Sequence, residues 1–326
     1  MRMHKKFLVG TALALAASLA SAEGAWPIKP IKLVVPFPPG GGGDITARVV
    51  ATELSTRLNQ SVVVENKPGA GTTIGTQFVA KAEPDGYTLL MITDFHSINA
   101  ALNAEKLLPA PLPYDSFKDF APVSRLVNLQ IMLMASNKLD VKTVADIVNK
   151  AKATPESVSA ASPGQSSPHQ VAFLQLEDMA GIKFLQVPYQ GSGPATLAVM
   201  GNQVDLAFAA TGPGMQMAQN NKAVAIAVSG PTRDPKAPNV PTIAESGFPG
   251  FSVQSWMGIV APAGTPASVV QKLNTELNLV LKDPQLAEKL LNGGMVAAPS
   301  TVDEFSSLIR KDADKMAILF RAKAKK

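Results

Sequence analysis

Apolar residues run along this chain in short blocks that alternate between two periodicities, with turn residues between them. The β-branched block Ile31-Lys32-Leu33-Val34-Val35 predicts a strand over 28–37, stopped by Pro36, Pro38 and Pro39. Four consecutive glycines, Gly40 to Gly43, follow, and apolar spacing then turns helical over 45–58. The same alternation predicts strands over 61–66 and 87–93 with a helix over 72–82 between them. A longer apolar run, 123–135, reads as a crossing from one lobe to another. Beyond it come helix 144–152 with Thr143 as its cap, strand 158–161, helix 169–180, strand 184–188, helix 194–201 and strands 204–209 and 223–229. Strand 253–261 is read as returning to the first lobe, and helices 266–281, 284–292 and 302–320 complete the chain. Repeated βα units with short punctuation predict an α/β fold with largely parallel sheets.

Two of these strand–loop–helix units carry polar or glycine-rich loops. Glycines let a ligand approach the backbone closely, and the first N–H groups of a helix lack internal partners. Such a loop aims donors at an anion. Pro39, Gly40, Gly41 and Asp44 form the first candidate, Asp44 standing where a helix cap would stand. The second is the loop from Ser162 to His169, with Gly164, Gln165 and Ser166 between them. The glycine run lacks the Gly-Lys-Ser/Thr ending of a P-loop and the G-x-G-x-x-G offsets, so a nucleotide fold is disfavoured. Two anion-type loops on two α/β halves imply a cleft between lobes, where small ligands usually bind.

Charge and composition narrow the reading. Residues 1–6 are basic, 7–20 apolar, and Ala20-Ser21-Ala22 fits a cleavage site, so 1–22 is read as a secretory signal peptide. Its loss takes Lys and Arg from 30 to 27 against 25 acidic residues, which gives no electrostatic case for a nucleic-acid partner. The absence of cysteine excludes disulfides, thiolate metal sites and a lipid-anchored N-terminus. Beyond the signal peptide there are two histidines, His96 and His169, and neither has a metal-ligand neighbour at suitable spacing, so no metal or cofactor is expected. A Ser-His-Asp hydrolase acting on a small ester, with Ser166 or Ser167 beside His169, is the alternative, but no G-x-S-x-G elbow is present. A binding protein is preferred to an enzyme.

Several ordered motifs then carry a resemblance. Ile31 to Gly41 with Asp44 and Arg48, Val62-Val63-Val64-Glu65-Asn66-Lys67-Pro68-Gly69-Ala70-Gly71, Pro84-Asp85-Gly86-Tyr87, Val187-Pro188-Tyr189-Gln190-Gly191 and Ala261-Pro262-Ala263-Gly264 resemble the Bug family. These are the TctC-type extracytoplasmic solute receptors of tripartite tricarboxylate transporters. The resemblance implies a two-lobed, type II periplasmic-binding-protein-like fold, with residues 23–124 and 251–326 in one lobe and 125–250 in the other. It implies a monomeric periplasmic receptor that closes on a small organic carboxylate and hands it to membrane transporter subunits or a sensor protein. It also places Tyr189 and Gly191 beside the cleft and Asp94 and Ser97 in the wall that selects the ligand's far end. Two departures stand out. The Ser162–His169 loop is one residue shorter than the family pattern, and Ala209, followed by Thr211, stands where an acid or amide is common. The second departure points to an aromatic or less polar acid rather than citrate.

Overall fold

The computed structural model describes residues 26–162, 167–189 and 191–324; the predicted signal peptide and Gly164, Gln165 and Ser166 lie outside the described residues. Eleven strands form two sheets among the described residues. The first has the order β11-β4-β10-β3-β1-β2 and the second β7-β6-β8-β5-β9. In the first, β1 (Ile31–Val35), β2 (Val62–Asn66) and β3 (Thr88–Thr93) are parallel, with Leu33 facing both Val64 and Leu89. The expectation of largely parallel sheets is corrected here. β10 (Ser255–Pro262) is antiparallel to both β3 and β4 (Phe120–Leu129), and β11 (Met295–Ala297) is antiparallel to β4. A strand returning from the other sheet enters from the opposite end, so its direction reverses.

Helices cover both faces. Leu33 and Val35 of β1 pack with α1 (Gly42–Leu58) and α8 (Ala267–Leu281), through Val50, Leu54, Leu273 and Leu277. Val34 points the other way, into a cluster with Val79 of α2 (Thr73–Ala80) and Phe305 and Ile309 of α10 (Val302–Ala324). This is the period-2 alternation of a strand buried on both faces, each such aliphatic side chain contributing about 2 kcal/mol. α9 (Pro284–Asn292) is capped by Asp283, which accepts from the N–H groups of Gln285 and Leu286.

The second sheet repeats the plan. β5 (Ile131–Ala135) sends Leu133 to one core with Phe173 of α5 (Pro168–Ala180) and Ile147 of α4 (Val144–Ala153). Its Met132 and Met134 go to the other face, with Val199 of α6 (Ser192–Met200) and Met217 of α7 (Thr211–Gln219). β6 (Ser159–Ser162) is parallel to β7 (Leu185–Pro188) and β8 (Leu206–Ala210), while β5 is antiparallel to β8 and β9 (Val224–Val228).

The sheets are joined at two crossings. Gln130 alone separates β4 from β5, inside the apolar run expected to cross, and the chain returns through 251–254. Ser229 ties the crossings together: its Oγ donates to the Val253 carbonyl at 2.6 Å and accepts from the Ile131 N–H at 3.2 Å. α3 (Asp94–Ala104), which the sequence pattern did not show, packs along α10, and Ile98, Met316 and Phe320 share the core of the second sheet.

Candidate functional site

Because β1, β2 and β3 are parallel, the helices that follow them all begin at one edge of the first sheet. The same holds for α5, α6 and α7 after β6, β7 and β8. In open α/β sheets that edge is where ligands bind, and each helix start adds partial positive charge.

The glycine loop occupies the first edge. α1 begins at Gly42, three residues earlier than predicted, and Gly41 is its N-cap with no capping side chain. Pro39, Gly40 and Gly41 are exposed. Gly40 has φ +82°, the left-handed region that favours glycine, and no heavy atom comes within 4 Å of where its Cβ would stand. The backbone therefore presents an open surface above Met257, whose Cε lies 3.9 Å from the Cβ position of Gly42.

Asp44 holds this loop from beneath. The expected N-cap role is corrected: Asp44 is the third residue of α1 and is buried. Its Oδ2 accepts from the Gly40 N–H at 2.9 Å, folding the loop back over the helix start. Arg48, four residues on, donates through Nε to both carboxylate oxygens at 3.0 Å. Asn66, at the end of β2, gives its Nδ2 protons to Asp44 Oδ1 at 2.9 Å and to the Phe37 carbonyl at 3.0 Å. The Arg48 guanidinium, then the Gly40 N–H, hold the Asp44 carboxyl down at about 2. Arg48 and Asn66 belong to the motifs that carry the family resemblance, but their pairing with Asp44 emerges only in the fold. The i,i+4 spacing of Asp44 and Arg48 on one helix face was the available signal. Below the loop, Phe37 meets Phe95 edge-on at 6.1 Å between ring centroids.

At the second edge, β6 ends at Ser162, whose carbonyl accepts from the Tyr189 N–H at 2.8 Å. Ser167 caps α5 by accepting from the Gln170 N–H at 3.2 Å. His169 follows in the first turn, its Nδ1 buried with no hydrogen-bond partner among the described residues, and burial lowers its pKa to about 4. The imidazole is therefore neutral at neutral pH. Tyr189 is half-buried against the small apolar core of this sheet. Gly191 caps α6 at φ +103° with open space around it.

The remaining expected residues turn inward. Ala209 is buried opposite Met132, and the Thr211 hydroxyl donates to the Gln130 carbonyl at 3.2 Å. Ser97 is fully buried and donates to the Ile309 carbonyl of α10 at 3.0 Å. Asp94 also faces α10, at a cavity lined by Pro168 of α5, rather than the glycine loop. Both were expected in a ligand-selecting wall; because the segment after β3 is a helix, they point into the α3–α10 contact instead. Met295 links the two edges: the Thr46 hydroxyl lies 2.7 Å from its Sδ, and the adjoining Gly294 packs within 3.3 Å of the Gly212 nitrogen, as measured from its Cβ position. The start of α1 and the start of α7 thus lie on the same side of the molecule.

No described helix is long and apolar enough to cross a membrane, and no group of three or more His, Asp or Glu that could hold a metal occurs among the described residues.

Comparison with known proteins agrees with this fold. Residues 46–324 match the family described as the tripartite tricarboxylate transporter family receptor. A relative in the tcbD-tcbE intergenic region of Pseudomonas sp. strain P51 is 34% identical over 96% of this chain and 92% of its own. Among solved structures, R. palustris Rpa4515 with adipate is 28% identical, with a TM-score of 0.80 over 91% of this chain and 97% of its own. MatC from Rhodopseudomonas palustris, with bound malate, is 29% identical, with a TM-score of 0.77 over 90% of this chain and 99% of its own. The chain belongs to the tripartite tricarboxylate transporter receptor family.

Proposed function

We propose that this protein is a periplasmic receptor that captures a small organic carboxylate and delivers it to membrane transporter subunits, without catalysing a reaction. The observation that carries this reading is the glycine loop. Its backbone is open to solvent at a helix start, while the Asp44–Arg48–Asn66 clasp fixes it from the buried side. A carboxylate accepts well from such backbone donors, directly or through water. The lobes of this reading are built on the two sheets, and they move about the crossings tied by Ser229. Adipate and malate, the acids in the two related structures, make a carboxylate the natural ligand class. Residues 1–22 supply export in this reading.

Within that class, the ligand body is read as aromatic or weakly polar. The Phe37–Phe95 pair lies under the loop, while Ala209 and Thr211 are turned inward and bring no polar group to it. Arg48, the guanidinium beside the loop, is spent on Asp44 and on Asn66 Oδ1. The test is a thermal-shift screen of the protein from Glu23 onward against benzoate, adipate, malate and citrate. A ligand at a hundred times its Kd stabilises by about 2.7 kcal/mol, roughly 5 °C for a chain this long. Benzoate or adipate is expected to shift the midpoint more than citrate. A shift with citrate alone would refute the weakly polar reading, and no shift after denaturing and refolding to remove carried-over ligand would refute the receptor.

A further inference from the structure

A second polar cluster lies behind the start of α5. Asp94 opens α3 and is 4% exposed. Ser255 of β10 and the backbone at the start of α3 are polar neighbours that partly offset its burial. Asp94 faces Asp312 of α10, whose Oδ2 accepts from Trp256 Nε1 at 3.1 Å. Lys315, one turn further along α10, donates to the Ser252 carbonyl. Asp94, Asp312 and Lys315 line a cavity of about 30 Å³, room enough for a water molecule, and Pro168 and Val171 of α5 close its far side. One buried acid pair therefore sits where α3, α10 and the returning crossing meet the helix that begins at the second candidate loop.

The charges around the pair do not balance when both acids are ionised. Lys315 is the one cation among the described residues lining the cavity, and residues 252–254 of the crossing and Ser255 of β10 carry no titratable group. His96 on α3 and His169 on α5 are both neutral near pH 7, burial holding each near 4. Two facing carboxylates in a poorly solvated site do not both ionise cheaply. Burial, followed by the charge of Asp312, pushes Asp94 up to about 7, and burial also raises Asp312.

We propose that Asp94 and Asp312 share one proton near neutral pH, and that this proton seats α5 against α3 and α10, so that carboxylate affinity falls when it is lost. The affinity half rests on the receptor reading above. With the proton in place, the pair carries one negative charge, matched by Lys315. When the proton leaves to solvent, the second charge is unmatched, which draws water into the cavity and loosens the contact with Pro168 and Val171. Asp94 is a positioning residue in this scheme and does not touch the ligand.

Trp256 reports on the pair without any ligand. The chain has two tryptophans, Trp26 and Trp256. In a Trp26→Phe protein, indole emission is expected to titrate with a midpoint near 7, and Asp94→Asn is expected to abolish that transition. Lys315→Met, which removes the matching cation, is expected to move the midpoint upward and provides a second variant should Asp94→Asn fold poorly. Calorimetry with benzoate and adipate at about pH 6.5 and 8, where both acids stay ionised, is expected to show at least about threefold tighter binding at the lower pH. In Asp94→Asn that pH dependence is expected to vanish. Emission that stays flat across this range, or an unchanged transition in Asp94→Asn, would overturn the shared proton. A normal emission transition with pH-independent affinity would overturn its role in binding. If neither acid binds at either pH, the affinity half falls with the receptor reading while the emission transition still stands or falls by itself.

Discussion

Replacing Asp44 by asparagine keeps the shape of the side chain and removes one acceptor, and the structure sets the cost. Both carboxylate oxygens accept: Oδ2 from the Gly40 N–H at 2.9 Å and Oδ1 from Asn66 Nδ2 at 2.9 Å, with Arg48 Nε 3.0 Å from each. An amide has one acceptor oxygen, so its NH₂ must face either Gly40 or Asn66, donor against donor. Losing one charge-assisted bond costs about 1.5–3 kcal/mol. The Arg48 pair adds about 0.5 kcal/mol at most, because that side chain is 52% exposed. The sum, about 1.5–3.5 kcal/mol, lowers Tm by roughly 3–7 °C in a chain of this size.

Part of the cost reappears in binding. A loop no longer held by Asp44 must be ordered by the ligand, at about 1–2 kcal/mol for each residue fixed. One such residue weakens the Kd by roughly tenfold. Calorimetric unfolding and titration with adipate would measure both. The pH dependence has a definite sign. The folded carboxyl titrates at about 2 against an ordinary 3.8, so its contribution is complete above about pH 4 and is lost as pH falls toward 2. The gap between wild type and Asp44→Asn should therefore close in acid. Equal Tm and equal affinity at pH 7 would refute the clasp.

Three further substitutions test other parts of the account. Ser229→Ala removes the hydroxyl that joins both crossings and should cost about 1–2 kcal/mol, with faster amide exchange at Ile131 and Val253; unchanged exchange would remove Ser229 from the hinge. Gly258→Ala would place a methyl 2.1 Å from Phe305 Cζ, beneath α10, and is expected to destabilise by about 3 kcal/mol or more, read as a lower denaturation midpoint or insoluble protein. Phe95→Ser removes one ring of the pair below the loop and should weaken benzoate more than adipate by about 1 kcal/mol, measured by parallel titrations.

Much of this architecture is legible locally, and the exceptions have physical causes. β1, β2 and β3 announce themselves as apolar runs closed by prolines and glycines. α3 does not, because Thr93 both ends β3 and caps the helix with no turn residue between, and the polar His96, Ser97 and Asn99 are buried. Packing against α10 overrides the amphipathic signal there. α7 hides behind Gly212-Pro213-Gly214, which reads as a turn, although proline is tolerated in a first helical turn. The direction of β10 follows from the crossing at 251–254, a long-range fact with no local mark. The glycine loop was legible as an exposed, glycine-rich approach to a helix start. The role of Asp44 changed because glycine accepts the helical conformation, which let α1 start at Gly42 and moved Asp44 into the first turn. Ala209 turns inward because β8 is buried on both faces, and Thr211, the first residue of α7, is held inward by its bond to the Gln130 carbonyl.

The central claim is that backbone N–H groups of the glycine loop hold a carboxylate, and amide resonances test it most directly. In ¹⁵N-labelled protein freed of carried-over ligand, the Gly40 to Gly43 signals should move on addition of whichever of benzoate, adipate, malate or citrate raises Tm most. Asp44→Asn should need a higher acid concentration for the same change. A raised Tm with those four amides unmoved would place the ligand elsewhere and contradict the account.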